Sequence, residues 1–203
     1  DRLTDTFAAF LATLPADGFA VMCTDHRHVR SLLPKVRARS ITYGLGDGSQ
    51  YSAIVHELEG RRTRCSFRHG GTVLGRVVLN VPGRYNVHNA LAATAVALEL
   101  GMTFGQVAPA LEQFGGVSRR FAVRGEVGGI MVADDYAHNP IKVAAVLRAA
   151  KESWPHRRIV AVFQPHRYTR TRTTHKRFAT AFADADELVI RIEDQGEGFV
   201  PEE

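Results

Sequence analysis

Two stretches in the second half of the chain constrain its fold most. Each is a short apolar run that breaks into a dense polar loop and then into a helical pattern. Residues 130–133 lead into Asp134-Asp135-Tyr136-Ala137-His138-Asn139-Pro140. Residues 158–163 lead into Gln164-Pro165-His166-Arg167-Tyr168-Thr169-Arg170-Thr171-Arg172. Strand, loop and helix in that order is the repeating unit of an open α/β sheet, whose ligands gather beyond the carboxyl ends of its strands. Gly128-Gly129 lies between apolar residues 121–127 and 130–133, which predicts a hairpin. Asn139 is a candidate N-cap with Pro140 in the first turn, so a helix is expected to about residue 154. A second helix is expected over 173–183 and a last strand over 187–192. The second half thus reads as a β-α-β-α-β run, part of a doubly wound sheet.

The first half has a different grammar. Leu3, Phe7, Phe10, Leu11 and Leu14 recur at helical spacing, with Pro15 and Gly18 as a stop. Residues 19–23 form a buried-type strand. Asp25 stands where an N-cap would open a short helix reaching Leu33, and residues 41–43 read as another strand. From there the pattern turns to hairpins, with strands over 51–58, 62–67 and 72–79 and His69-Gly70-Gly71 as a turn. A helix over 86–100 closes at Gly101, and Thr103 caps another reaching Phe114. The Gly115-Gly116 break sets the expected domain boundary near Val117, giving domains 1–117 and 118–203.

Composition narrows the function classes. At 203 residues, 45% hydrophobic and 23% charged, the chain has the balance of a folded protein. No apolar run approaches the roughly 20 residues of a membrane span, so no membrane insertion is expected. Cys23 and Cys65 are too few for a disulfide scaffold and read as buried thiols of a reducing, cytoplasmic protein. The net charge of +5 and pI near 9.6 raise nucleic-acid binding as an alternative. The arginine clusters lack the interleaved aromatics and motifs such binding uses. There is no Gly-x-x-x-x-Gly-Lys phosphate loop, no zinc-type Cys/His spacing and no Gly-x-Ser-x-Gly turn. The chain opens without Met inside a helical pattern, so it reads as a fragment.

Four polar constellations carry candidate chemistry. In Val81-Pro82-Gly83-Arg84-Tyr85-Asn86-Val87-His88-Asn89-Ala90, two carboxamides at a helix start offer donors and acceptors to a purine edge; the plain alternative is that Asn86 caps the helix. In Ser118-Arg119-Arg120-Phe121, a guanidinium beside a double glycine suits a phosphate, or is a solvated linker arginine. The Asp134–Pro140 and Gln164–Arg172 loops would face each other if their strands are parallel neighbours. That would bring His166, Arg167 and Arg170 near Asp135 and Tyr136, an acidic loop against a basic one, suited to a substrate bearing an amine and a carboxylate. The alternatives are helix-capping groups in the first and a generic basic loop in the second.

Together these motifs resemble the Mur ligase family, over nearly the whole chain, and within it the branch that adds L-alanine. Asp-Asp-Tyr-Ala-His-Asn-Pro and Phe-Gln-Pro-His-Arg-Tyr-Thr-Arg-Thr are the most specific pieces. The resemblance implies an α/β fold: the later part of a central ATPase domain followed by an incomplete Rossmann-like C-terminal domain. It implies ATP-dependent amide-bond formation between UDP-N-acetylmuramate and L-alanine through an acyl phosphate. Asn86 and Asn89 would then contact adenine, Arg120 would reach the ATP phosphates, and Asp135 would help place the nucleotide. Tyr136, His166, Arg167 and Arg170 would line the L-alanine and acyl-phosphate pocket. ATP and Mg2+ are the implied cofactors, with the metal ligands and phosphate loop expected before Asp1, and the fragment itself inactive. Tyr85 and Asn139 replace histidines usual in the family. The tail after Ile190 has an Asp-x-Gly-x-Gly look in place of the expected Tyr-x-Ala-Gly-Glu. A murein tripeptide ligase, a basic nucleic-acid-binding module and a non-catalytic interaction domain are the competing readings.

Overall fold

The structure, a computed structural model, describes residues 2–192 apart from the side chains of Tyr168 and Arg170. Of the unusual tail after Ile190, residues 193–203 lie outside the described residues. The chain divides into two compact units, residues 1–116 and 117–203.

The first unit contains α1 (Arg2–Leu11), β1 (Phe19–Cys23), α2 (Arg27–Arg30), β2 (Arg39–Gly44), β3 (Tyr51–Glu59), β4 (Arg62–His69), β5 (Thr72–Leu79), α3 (Arg84–Glu99) and α4 (Phe104–Gln113). Its five strands form one sheet in the order β1-β2-β3-β4-β5. The β1–β2 and β2–β3 pairs are parallel, and the β3–β4 and β4–β5 pairs are antiparallel. The change of sequence grammar near residue 51 is therefore a change of strand direction inside one sheet. Gly70 and Gly71, both with positive φ, make the tight β4–β5 turn, a conformation open to glycine at little steric cost.

Alternation decides which residues reach the core. On β1, Phe19 and Val21 pack against the main core, while Ala20 and Met22 point to the other face beside Leu32, Leu11 and Leu14. Both faces of this parallel strand are thus covered, which explains its unbroken apolar run. On α3, Val87, Ala90, Leu91, Thr94 and Ala95 recur at three- and four-residue spacing and are buried against the sheet. The small Ala90 and Ala95 let α3 lie close to the sheet, in one core with Ile41, Tyr51 and Ala53 of β2 and β3. Burying one side chain the size of Leu91 contributes about 1.5–3 kcal/mol.

Two details correct the sequence reading. The α3 helix begins at Arg84, with Gly83 at the N-cap position, so Asn86 sits inside the first turn rather than capping it. Asp25 does not cap α2, whose N-cap position is His26; its carboxylate is engaged elsewhere. The α4 start agrees with expectation, since Gln106 Oε1 accepts from the Thr103 N–H at 2.8 Å.

The second unit contains β6 (Ala122–Val127), β7 (Ile130–Asp134), α5 (Pro140–Ser153), β8 (Val160–Phe163), α6 (Tyr168–Ala181) and β9 (Glu187–Ile190). Asn139 caps α5 by accepting from the Lys142 N–H at 2.9 Å, with Pro140 next to it. The α6 helix starts earlier than the expected 173, directly after Arg167. Val143, Leu147 and Ala181 form a small core with Phe163, Phe178 and Phe182. Ion pairs Arg148–Asp184 at 2.7 Å and Lys151–Asp186 at 3.2 Å lie at its margin.

The strand pairing differs from the expected single run. β6 pairs only with β7, antiparallel, and β8 pairs with β9, parallel. The conditional neighbour pairing of β7 with β8 is not formed among the described residues. The Gly128-Gly129 turn, both residues at positive φ, gives the expected β6–β7 hairpin, and β7 takes no second strand among the described residues. Among the described residues no helix is long and apolar enough to cross a membrane.

Candidate active site

The first group of candidate residues is set by the turn into α3. Val81, Pro82 and Gly83 are buried, and Gly83 has φ +88°, a conformation that favours glycine. Asn86 Nδ2 donates to the Pro82 carbonyl at 2.8 Å, which ties the first helical turn to the loop before it. Its Oδ1 accepts from Asn89 Nδ2 at 3.3 Å. Asn89 is exposed on the helix surface and Tyr85 is half-buried. The two asparagines are therefore coupled, with Asn86 anchoring and Asn89 presenting an amide outward.

Asp25, read from sequence as a helix cap, belongs to this neighbourhood. Its Oδ2 accepts from the Leu45 N–H at 2.6 Å and its Oδ1 from the Gly46 N–H at 3.0 Å. Its Oδ2 also lies 2.7 Å from His88 Nε2. Burial pushes this carboxyl up, but the His88 contact and the two backbone N–H groups outweigh it and hold it below its ordinary value. Sequence reasoning missed this pair because its members stand 63 residues apart. The only readable signal was a histidine inside the Asn86–Asn89 motif.

In the second unit, Asp135 is a clamp on its own backbone. Oδ2 accepts from the Phe121 N–H at 2.8 Å and Oδ1 from the Ala137 N–H at 2.7 Å. The segment it holds is strained, since Arg119 has φ +58° and Phe121 φ +47°. Positive φ in a bulky residue costs on the order of 1–3 kcal/mol and persists only where neighbours impose it. Here the neighbours are Asp135, the 2.7 Å bond from the Tyr136 N–H to the Arg119 carbonyl, and the Phe121 ring stacked on Trp154 at 5.3 Å. Arg120, between the two strained residues, is exposed.

Tyr136 is half exposed, with the Arg119 guanidinium 4.7 Å over its ring and His138 edge-on at 4.9 Å. Arg119 was not singled out in the sequence; its adjacency to Arg120 was the available signal. His138 Nδ1 lies 2.7 Å from the Tyr136 carbonyl, so it closes the loop on itself.

His166 and Arg167 are exposed on the loop between β8 and α6. Arg167 takes φ +65°, and its carbonyl accepts from the Thr171 N–H at 3.1 Å. A third strained non-glycine residue thus falls on a candidate position. Arg170 is on α6, and its side chain lies outside the described residues. With β7 and β8 in separate sheets, strand pairing does not bring this loop to Asp135 and Tyr136. A separate groove of about 310 Å³, lined by His56, Arg64, Cys65, Arg76, Val77 and Val78, includes none of the candidate residues.

The donor chemistry fits a purine nucleotide better than a magnesium ion. Asn86 and Asn89 supply paired amide donors and acceptors, and Arg120 an exposed guanidinium. Among the described residues, the one grouping of three or more potential metal donors contains a thiol and an imidazole. Magnesium takes oxygen ligands in octahedral geometry, so this set does not suit it.

Comparison with known proteins accounts for both units. Residues 1–97 match the Mur ligase middle domain, and residues 119–203 match the Mur ligase, glutamate ligase domain. The chain is 45% identical over 190 residues to a UDP-N-acetylmuramate–L-alanine ligase of Trichlorobacter lovleyi, covering 94% of this chain and 42% of that protein. It thus spans about two fifths of the length of the curated relatives it matches. The crystal structure of the UDP-N-acetylmuramate–alanine ligase of Thermotoga maritima superposes with a TM-score of 0.67 at 30% identity, over 81% of this chain and 41% of that one. A murein peptide ligase of Psychrobacter arcticus gives 0.65 at 26% identity, over 94% and 40%. With Mur ligase domains matched on both sides of the Gly115-Gly116 break, the chain belongs to the Mur ligase family.

Proposed function

We propose that the full-length protein containing this chain joins L-alanine to UDP-N-acetylmuramate in an ATP-dependent step of peptidoglycan synthesis. The observation that carries this reading is the 45% identity to a UDP-N-acetylmuramate–L-alanine ligase over 190 residues, 94% of this chain. On this reading residues 1–117 are the later part of the middle domain and 118–203 the C-terminal domain, and the protein works in the cytoplasm, where nucleotide-linked precursors are made.

ATP, when bound, supplies the phosphoryl group that activates the lactyl carboxylate for attack by an amine. The residues of this chain bind and position. Asn89, steadied by Asn86, hydrogen-bonds the adenine edge. Arg120 binds phosphate oxygens with its forked donors, and the Asp135 clamp fixes the strained turn that presents it. Arg167 and Arg170 bind the alanine carboxylate, while Tyr136 helps shape the pocket. His166 takes up the proton shed as the amide forms, a general-base role that an imidazole nitrogen can fill. Holding an amine against an activated carboxylate lowers the entropic part of the barrier, the largest gain available without new chemistry. No step is assigned to Mg2+, whose ligands are expected outside this chain.

The test is phosphate release by the full-length protein with ATP, Mg2+, UDP-N-acetylmuramate and L-alanine, with Arg167→Ala beside it. Alanine and arginine share the same penalty at positive φ, so this variant removes the guanidinium without changing the backbone requirement. Release that needs both L-alanine and Arg167 supports the reading. Release with murein tripeptide but not with L-alanine would replace it with the recycling ligase, a reading favoured by the likeness to the Psychrobacter enzyme.

A further inference from the structure

The carboxyl end of β1 and the first turns of α3 converge on three donor atoms that the ligase reading does not use. Cys23 Sγ, a carboxylate oxygen of Asp25 and a ring nitrogen of His88 all lie within 4.8 Å of one another. We propose that they form a binding site for a zinc-class divalent cation, with three protein ligands and an open fourth position.

Three features make this a built site rather than a chance grouping. The first is the orientation of His88. Its Nδ1 lies 3.1 Å from the Arg84 carbonyl. A carbonyl only accepts, so Nδ1 carries the hydrogen. In the neutral ring Nε2 then presents a lone pair, 2.7 Å from Asp25 Oδ2. Two electron-rich atoms at that separation require a cation shared between them, either a proton or a metal ion. A histidine whose Nδ1–H is fixed by a carbonyl is also the usual arrangement of a metal-ligating imidazole.

The second feature is the cradle around Asp25. The Leu45 and Gly46 N–H groups hold its carboxylate from behind at 2.6 and 3.0 Å. The backbone comes so close that a Cβ on Gly44 would stand 2.6 Å from Asp25 Oδ1, and one on Gly46 2.9 Å. The third is Tyr43, the register partner of Cys23 on the adjacent strand β2. Side chains of register partners stand on the same face of a sheet, so the phenol lies beside the sulfur.

The donor set selects the metal. One sulfur, one nitrogen and one oxygen match zinc, which binds all three in tetrahedral sites. Bond lengths of about 2.0–2.3 Å put tetrahedral donors about 3.3–3.6 Å apart. The His88–Asp25 pair therefore opens slightly on loading while the sulfur closes in, a side-chain adjustment only. Binding displaces the Cys23 thiol proton and any proton shared by Asp25 and His88 to water. The ion would link β1 to α3, the helix that bears Asn86 and Asn89. The site stands on its own geometry and does not depend on the ligase reading.

The test adds Co2+ to metal-free full-length protein and reads its absorption. Expected are tetrahedral d–d bands in the visible and a thiolate-to-cobalt charge-transfer band in the near ultraviolet, saturating at about one ion per chain and abolished by Zn2+. Cys23→Ser should remove the charge-transfer band. His88→Gln and Asp25→Asn should each weaken Co2+ binding by about tenfold or more, with circular dichroism confirming that the variants fold. Cys65→Ser should change nothing, because burial pushes that thiol up to about 12 and keeps it protonated. No charge-transfer band from folded protein, or a band that survives both Cys23→Ser and His88→Gln, would overturn the proposal.

Discussion

Replacing Asp135 tests whether the strained turn at Arg119–Phe121 is held as described. Its two oxygens accept the Phe121 and Ala137 N–H groups at 2.8 and 2.7 Å. A hydrogen bond to a charged partner contributes about 1.5–3 kcal/mol, so the pair gives about 3–6 kcal/mol before discounting for water. Both bonds are only part-buried, and losing them lets Phe121 leave its positive φ, which returns some of that energy. A net loss of about 3 kcal/mol is expected for Asp135→Ala. Asp135→Asn should be nearly as costly, since one side of its amide turns a donor toward a backbone N–H. At about 2–4 °C per kcal/mol for a chain of this size, the transition should fall by about 6–12 °C. Trp154, the single tryptophan of this chain, stacks on Phe121, so its fluorescence follows the second unit selectively. A thermal midpoint within about 1 °C of the parent for both variants would refute the clamp; on the scale used above that is under half a kcal/mol.

Other outcomes follow from the first unit. Tyr51 donates to Glu99 Oε1 at 3.1 Å, and burial first, then Glu99, push its phenol from 10.0 up to about 12. The raised value means its contribution is fully present below pH 10 and is lost as pH rises through about 12, at most about 3 kcal/mol. Tyr51→Phe should therefore flatten the alkaline limb of stability against pH in a urea titration. Leu91→Ala, at a fully buried position on α3, should cost about 2–5 kcal/mol in the same titration. Thr63→Val keeps the shape but removes a buried hydroxyl that donates to the Val81 carbonyl at 3.1 Å, and should lower stability by about 1–2 kcal/mol.

Much of this molecule was legible because its signals are local. The span of β1, the β4–β5 turn at Gly70-Gly71, the Asn139 cap and the helix after Thr103 each follow from a few adjacent residues. The partners of side chains were not legible. Asp25 has the sequence context of a helix cap, yet its oxygens go to Leu45, Gly46 and His88, because β2 and α3 arrive beside it in space. Asp135 reads as a ligand-facing acid, and nothing in its sequence context names the Phe121 and Ala137 N–H groups that its two oxygens accept. Strand order in the second unit was missed for a related reason. An apolar run shows that a strand forms, and Gly128-Gly129 marks the β6–β7 hairpin, but nothing local in residues 130–133 or 158–163 says whether those two strands lie side by side. The positive φ of Arg119, Phe121 and Arg167 had no sequence signal, because glycine or asparagine is the usual marker of that conformation.

The central claim, amide formation with L-alanine, is tested most directly by the product. The full-length protein, ATP and Mg2+ would be given UDP-N-acetylmuramate with isotopically labelled L-alanine, and the nucleotide fraction read by mass spectrometry. The account predicts a labelled UDP-N-acetylmuramoyl-L-alanine that forms only with ATP and is lost in Arg167→Ala. Unlabelled UDP-N-acetylmuramate alone, recovered from folded protein under all these conditions, would contradict it.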